Sequence, residues 1–374
     1  MIEIIGTSNP ISIPAAANRG LPRIGYSPLT ASFEAPGDRR RFVAYAQARN
    51  IPFEIADPKE RYDVVVLTEG ADISVWPDYQ HGKIVYDLID SYLSVPRTKP
   101  SQLLRGAAWY LLGKHRKLRF DYLNNVRAMC RHADAVICST QEQQSVIRKM
   151  CDNVHVILDV HSMVVRNIKS TYVAGRPFRL VWEGLPSNLP QVAKIAPVLR
   201  ALFKEIRLEL HVVTDPTRDR LKGVLGQIDT EKFLARHFTN AVFHAWDEKT
   251  CSEIVTSCDL ALIPIDVDDS FVAGKPENKL LLLWRMGMPA VVSATPAYLR
   301  AMTKAGTPEL ACANSREWIS ALGRMSRDED ARRDAAARGR AHAELVHGAE
   351  ATLSRWDGLF SSLGYSFEPS TAAS

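Results

Sequence analysis

Short runs of β-branched and aliphatic residues alternate with longer stretches of helical periodicity over most of this chain, and that alternation leaves few folds open. RIGYS (Arg23–Ser27), FEIA (Phe53–Ala56), DVVVL (Asp63–Leu67), KIVYD (Lys83–Asp87), AVICS (Ala135–Ser139) and VHVIL (Val154–Leu158) read as strands. Between them RRRFVAYAQAR (Arg39–Arg49), a long region ending at His132 and QEQQSVIRKMC (Gln141–Cys151) read as helices. After VAGRP the series restarts. Strands FRLVWEG (Phe178–Gly184), LELHVV (Leu208–Val213), AVFHA (Ala241–Ala245) and LALIPI (Leu260–Ile265) are interleaved with helices QVAKIAPVLRALFKEI (Gln191–Ile206) and TCSEIVTSC (Thr250–Cys258). Beyond Ser315 the pattern is helical only.

Strands that alternate with helices bury best as parallel sheets covered on both faces. Two such runs in 374 residues predict two doubly wound α/β domains. The expected division is 1–168, 169–345, a helix over 346–365 that returns to the first domain, and a disordered tail over 366–374. Hydrophobic residues at 46% and charged residues at 24% belong to a globular protein and exclude general disorder. No apolar run approaches the ~20 residues that span a bilayer. The start, MIEIIGTSNPISIP, lacks the basic end and apolar core of a leader peptide. The six cysteines form no C-x-x-C pair, so reduced thiols and a cytoplasmic setting are expected.

In open parallel sheets ligands bind beyond the carboxyl ends of the strands. Three loops there carry polar residues: GLPSN (Gly184–Asn188), AWDEK (Ala245–Lys249) and DVDDSFVAGKPENK (Asp266–Lys279). The last runs into LLLLWRMGMP. Pro276 suits the first turn of a helix, Gly287 the position past its end, and Pro289 stops continuation. The bare N–H groups at such a helix start attract anions. Lys275 and Lys279, four residues apart, fall on one face if the helix has begun. Together they form a candidate diphosphate site; the plain alternative is a helix start with solvated lysines.

The order CDLALIPI, a polar loop, KPENKLLLLWRMGMPAVVS and PAYLRAM resembles the donor-binding half of GT-B-fold glycosyltransferases, particularly family 4. REWISALGRMSRDEDARR and the tryptophan-bearing last helix resemble the region that crosses back to the first domain; KIVYDLIDSY and ADAVICST resemble N-terminal-domain segments. The resemblance implies two Rossmann-like domains facing a cleft. The implied activity is metal-independent, hexosyltransferase-type transfer of a sugar from a nucleotide diphosphate sugar to a glycan or lipid-linked acceptor, as in bacterial-type polysaccharide synthesis. No cofactor beyond the donor is implied. Lys279 would stabilise the leaving diphosphate, and Lys275, Glu277, Asn278, Gly184, Ser187, Asn188, Trp246 and Ser270 would bind the donor. Trp246 stands where the family places its base-binding loop; a core tryptophan is the alternative. Family-4 enzymes usually carry two glutamates around this helix, and the corresponding positions here hold Gly274 and Leu282. A retaining course is therefore not implied, and a non-catalytic scaffold or a sugar-nucleotide epimerase stays open.

Acid–base chemistry in the first domain is assigned to Asp90, with Asp87 structural and Glu69 and Asp72 as alternatives. From Arg97 to Phe120 there are seven Lys/Arg, one His and no acidic residue, around AAWYLLG. Arg105, Trp109, Tyr110, Lys114, Arg116 and Lys117 are therefore candidates for contact with an acceptor or with an anionic membrane surface. The alternative is a solvated basic face. The histidines show no metal-site spacing, and no nucleic-acid-binding motif is present.

Overall fold

The computed structural model describes residues 20–33, 35–94, 100–161, 163–219 and 227–367. The N-terminal stretch read for a leader, the start of the basic segment at 95–99, and 368–374 of the expected tail lie outside the described residues. The chain divides into two compact units: the first ends at Val160 and resumes at Leu353, and the second runs from His161 to Thr352.

The first unit is built on six parallel strands: β1 (Ile24–Ser27), β2 (Glu54–Ile55), β3 (Val64–Thr68), β4 (Lys83–Leu88), β5 (Ala135–Cys138) and β6 (Val154–Val156). Their order is β2-β1-β3-β4-β5-β6. The second unit holds β7 (Phe178–Glu183), β8 (Leu208–Thr214), a small antiparallel pair β9 (Thr217–Asp219) and β10 (Gln227–Asp229), then β11 (Ala241–Ala245), β12 (Leu260–Ile263), β13 (Ala290–Ser293) and β14 (Ala311–Cys312). Its parallel sheet runs β11-β8-β7-β12-β13-β14. Each sheet reverses its winding once, between β1 and β3 in the first and between β7 and β12 in the second. These reversals leave a crevice at the strand ends, where ligands bind in doubly wound folds.

Central strands such as β3, β5 and β12 are buried along their whole length, as sheets covered on both faces require. The first unit's core is aromatic. Tyr26, Phe42, Tyr45 and Phe53 meet Trp356 and Phe360 of the last helix, Ala349–Ser362, and Phe367 beyond it. In the second unit Gly339 of helix Glu329–His347 lets the backbone lie against an indole, because a Cβ there would fall 2.3 Å from Trp284 Nε1.

The expected helix over 191–206 is two, Leu189–Lys194 and Ala196–Leu202. Pro197 has no N–H to give and its ring crowds the preceding turn, so the helix breaks at Ile195. The β9–β10 pair, helix Thr230–His237 and the two-residue strand β14 are too short or too polar to announce themselves by periodicity.

His115 and His155 in the first unit and His244 and His342 in the second are held below the ordinary imidazole value, each chiefly by burial. The folded chain therefore binds these protons less readily than the unfolded chain. The stability they contribute is complete above about pH 6.5 and is lost as pH falls below it. The thermal midpoint is expected to be lower at about pH 5.5 than at about pH 7.5. An imidazole NMR titration in which these four side chains protonate at or above the ordinary value of about 6.5 contradicts these environments.

Candidate functional site

The loops at the second sheet's reversal point carry most of the donor-binding candidates singled out above. β7 ends at Glu183, and Gly184 follows with its N–H bonded to the Val213 carbonyl at 3.1 Å. The chain then makes a single turn, Pro186–Asn188, and enters helix Leu189–Lys194. After β12 the loop is tied down on two sides. Ile265 N–H donates to Ser293 Oγ at 2.8 Å, and Asp266 accepts from Lys194 Nζ while its own N–H donates to Gln191 at 2.8 Å. Ser270 opens a four-residue helix, Ser270–Ala273, within this loop.

The apolar helix itself runs Asn278–Arg285, with Glu277 as its N-cap. Pro276 thus precedes the cap and does not occupy the first helical turn. Lys275 lies before the helix, so the two lysines are not stacked on one helical face as the spacing suggested; a different geometry brings them together. At the far end the expected stop is present. Gly287 takes φ +71°, and the N–H groups of Gly287 and Met288 reach back to the Trp284 and Leu283 carbonyls.

Lys279 is half-buried, and its Nζ donates to the Glu183 carbonyl and lies 4.8 Å from the centroid of the Trp182 ring. Gly184 makes this possible: a Cβ there would fall 2.2 Å from Lys279 Nζ. Lys275 Nζ donates to Asn188 Oδ1 at 3.3 Å. Burial pulls the Lys279 ammonium below its ordinary value; the Glu183 carboxylate opposes the shift and the Lys275 ammonium reinforces it. Two cations thus stand beside the loop that follows β7, and burial penalises the charge of one of them. An incoming anion relieves that penalty. The first helical amides, Asn278, Lys279 and Leu280, precede the first intrahelical bond, from Leu281 N–H to the Glu277 carbonyl, and add the dipole's positive end.

The other candidates are placed as follows. Glu277 lies 4.0 Å from Arg300 of helix Pro296–Ala305, with both side chains mostly buried. Asn278 is the first helical residue, and Ser187 is exposed on the turn after β7. Trp246 follows β11 directly, is half-buried rather than in the core, and donates its backbone N–H to the Thr214 carbonyl at 2.9 Å. Three neighbours escaped the sequence reading. Trp182 and Arg300 read as a strand residue and a helix residue, with no spacing to mark them. Thr214, the last residue of β8, is fully buried, and its hydroxyl has no hydrogen-bond partner among the described residues.

In the first unit Asp87 is structural. It is buried and bonded at both oxygens to Arg41, at 2.6 and 2.7 Å, and Arg41 also reaches Asp159 at 3.1 Å. Asp90 lies two residues beyond β4, and its N–H donates to Glu69. Asp72 accepts from Ser74 and from the Arg116 N–H at 2.8 Å, so it anchors the basic segment.

Within that segment Arg105 lies over the rings of Tyr92, Trp109 and Tyr122 at 4.7, 5.4 and 4.6 Å. Lys114 lies 5.3 Å from Trp109, and Lys117 pairs with Asp78 at 2.5 Å. Gly106 allows the return strand of chain to approach, since a Cβ would sit 1.7 Å from the Arg119 carbonyl oxygen. Outward-facing are Tyr110, Leu111, Leu112, Leu118 and Phe120, with Leu111 82% and Phe120 60% exposed, beside the exposed Lys114 and Arg116. Among the described residues no helix is long and apolar enough to cross a membrane, and no three His, Cys, Asp or Glu side chains converge as a metal site.

No family model and no curated protein matches the chain. Solved structures do. The chain is similar to TarM at a TM-score of 0.54 and 10% identity, over 79% of this chain and 54% of that one. A mutant of S. aureus TarM in complex with fondaparinux, α-GlcNAc-glycerol and UDP matches at 0.52 and 9%, over 79% and 55%. The GtfA/B complex matches at 0.53 and 11%, over 86% and 60%. The chain spans about half the length of the first two. At such identities the likeness is one of fold: two six-stranded parallel sheets with interleaved helices, the architecture that the motif order implied.

Proposed function

Taking the GT-B fold as the premise, we propose that this protein is a glycosyltransferase that moves a sugar from a nucleotide diphosphate sugar to a glycan or lipid-linked acceptor. One observation carries the reading: Lys279, half-buried over Gly184 and Trp182 at the reversal point of the second sheet, with Lys275 on Asn188 beside it. Ammonium groups and helix amides fixed in advance at one place stabilise the charge that develops on a leaving diphosphate. We propose that they do so without a metal ion, and that the transferred sugar is a hexose. Trp246, at the end of β11, is available to pack against the base. TarM, in the complex with UDP and α-GlcNAc-glycerol, offers a parallel for donor and acceptor classes.

The experiment is a thermal-shift panel of UDP, GDP, ADP and their sugars, followed by donor turnover. One nucleoside diphosphate family is expected to raise the midpoint, and its sugar to be consumed. The absence of any shift overturns the donor site. Binding without turnover favours the second reading, a non-catalytic scaffold, which the residues Gly274 and Leu282 in place of the usual glutamates support.

We further propose that the tip around Leu111, Leu112, Leu118 and Phe120, with Lys114 and Arg116, rests on an anionic membrane surface. Exposed apolar side chains beside cations match the two layers of a lipid interface. The six free thiols fit the reducing, cytoplasmic side. At low salt the protein is expected to sediment with vesicles of anionic phospholipid and not with neutral ones. The double substitution Leu111→Asp, Leu112→Asp should abolish sedimentation. Equal recovery in the supernatant with both vesicle types overturns the assignment.

A further inference from the structure

The basic segment of the first unit folds over a histidine whose ring makes no hydrogen bond. His115 lies just beyond helix Pro100–Leu111; it is 2% exposed, and both ring nitrogens lack a partner among the described residues. Buried polar groups in folded chains are nearly always paired, so this orphan calls for a reason. Its ring lies 5.2 Å from that of Trp109, and its backbone N–H donates to the Trp109 carbonyl at 3.2 Å. Charged and titratable groups approach from four sides. Helix Pro100–Leu111 brings Arg105, 5.4 Å from the Trp109 ring, and helix Tyr122–His132 brings Tyr122, 5.6 Å from the same ring. Lys114 and Arg116 flank His115 on its own segment and are exposed. The loop after β3 brings the Asp72 carboxylate, which favours a charge on the imidazole but already accepts from Ser74 and from the Arg116 N–H at 2.8 Å. Burial outweighs Asp72, and the ring is held below its ordinary value. The turn before it is open: Gly113 takes φ +69°, and nothing lies within 4 Å of where its Cβ would stand.

We infer that His115 is a proton-operated latch on this tip: uncharged it holds the tip closed, and protonated it leaves its seat and frees the tip to settle on anionic lipid. This rests on the membrane reading above. An imidazolium carries two N–H groups, and leaving both buried and unpaired is costly. At a lipid surface the phosphates supply the missing acceptors, and their negative potential favours the charged ring. The new cation joins Lys114 and Arg116, between Leu111 and Leu112 on one side in sequence and Leu118 and Phe120 on the other. In the closed tip the ring takes its proton below about 6.5, and in the docked tip at or above it. Docking therefore takes up about one proton, and affinity for anionic lipid rises as pH falls through the docked value. The gain is at most about tenfold per pH unit and levels off below the closed value.

The test measures sedimentation of the full-length protein at low salt with vesicles of equal parts phosphatidylglycerol and phosphatidylcholine, at about pH 7.5 and about pH 5.5. The phosphate of phosphatidylglycerol stays ionised over this range, so the charge of the lipid is constant. Wild type is compared with His115→Phe, which fills the seat beside Trp109 and has no proton to gain, and with His115→Gln. Wild type is expected to bind at least about fivefold more tightly at the lower pH, and each variant to change by less than about twofold. A His115→Phe protein with the wild-type pH dependence overturns the inference, because another titrating group then carries it. An NMR titration of the His115 ring reads the latch directly, with and without lipid nanodiscs of the same composition. Protonation at higher pH on the nanodiscs supports the assignment, and protonation at an equal or lower pH overturns it. Wild type that ignores these vesicles at both pH values fails the membrane reading instead, and amide hydrogen exchange over 111–120 without lipid then decides the latch. Exchange that quickens relative to His115→Phe from the higher pH to the lower supports it; a constant ratio overturns it.

Discussion

Replacement of Lys279 by alanine is expected to lower donor turnover by about two to three orders of magnitude and to abolish most of the nucleoside diphosphate thermal shift. The ammonium is not a surface charge. It sits over the Trp182 ring on the Glu183 carbonyl, and the missing side chain of Gly184 makes room for it. Removing it leaves the helix amides without that cation at the point where the proposed donor's diphosphate would gather charge. Lys275, held by Asn188 among the described residues, is the weaker contributor, and its alanine variant should lose less. Because Lys279 is already disfavoured as a cation by burial, its removal should not destabilise the free protein. Loss of binding with an unchanged ligand-free midpoint is therefore the expected pattern. A folded Lys279→Ala protein that binds nucleoside diphosphates like wild type removes the basis of the donor site.

The largest expected effect on stability is in the last helix. Trp356 is fully buried in the first unit, stacked on Tyr45 at 5.4 Å and near Phe42 at 6.0 Å. Asp357 beside it accepts from Tyr45 Oη at 2.9 Å and pairs with Arg49 at 2.7 Å. Truncating a buried tryptophan to alanine costs about 3–5 kcal/mol, since the rings around it cannot close the gap. Trp356→Ala should lower the first unit's thermal midpoint by on the order of 10 °C. Separate unfolding of the two units, followed by calorimetry, should show the loss in the first. A change of only a degree or two would mean that the helix is not part of that core.

The site was legible in the sequence to different depths. Lys279 and the GLPSN loop were readable because polar residues at strand ends and a capped apolar helix are local patterns. Their partnership was not. It depends on β7 and β12 being neighbours, and 76 residues separate the end of one from the start of the other. Glu69 shows the same limit: as a residue in TEGAD it was one carboxylate among several, and pairing in the sheet brings it to Asp90.

The alternation of strand and helix, the buried strand interiors and the Gly287 stop follow from local periodicity and backbone preference, which act over a few residues, and the sequence alone determined them. The pairing of Lys279 with Glu183, of Lys275 with Asn188, of Arg41 with Asp87 and of Glu69 with Asp90 was decided by tertiary structure. Each is a contact between distant segments, and no local pattern encodes which strand lies next to which.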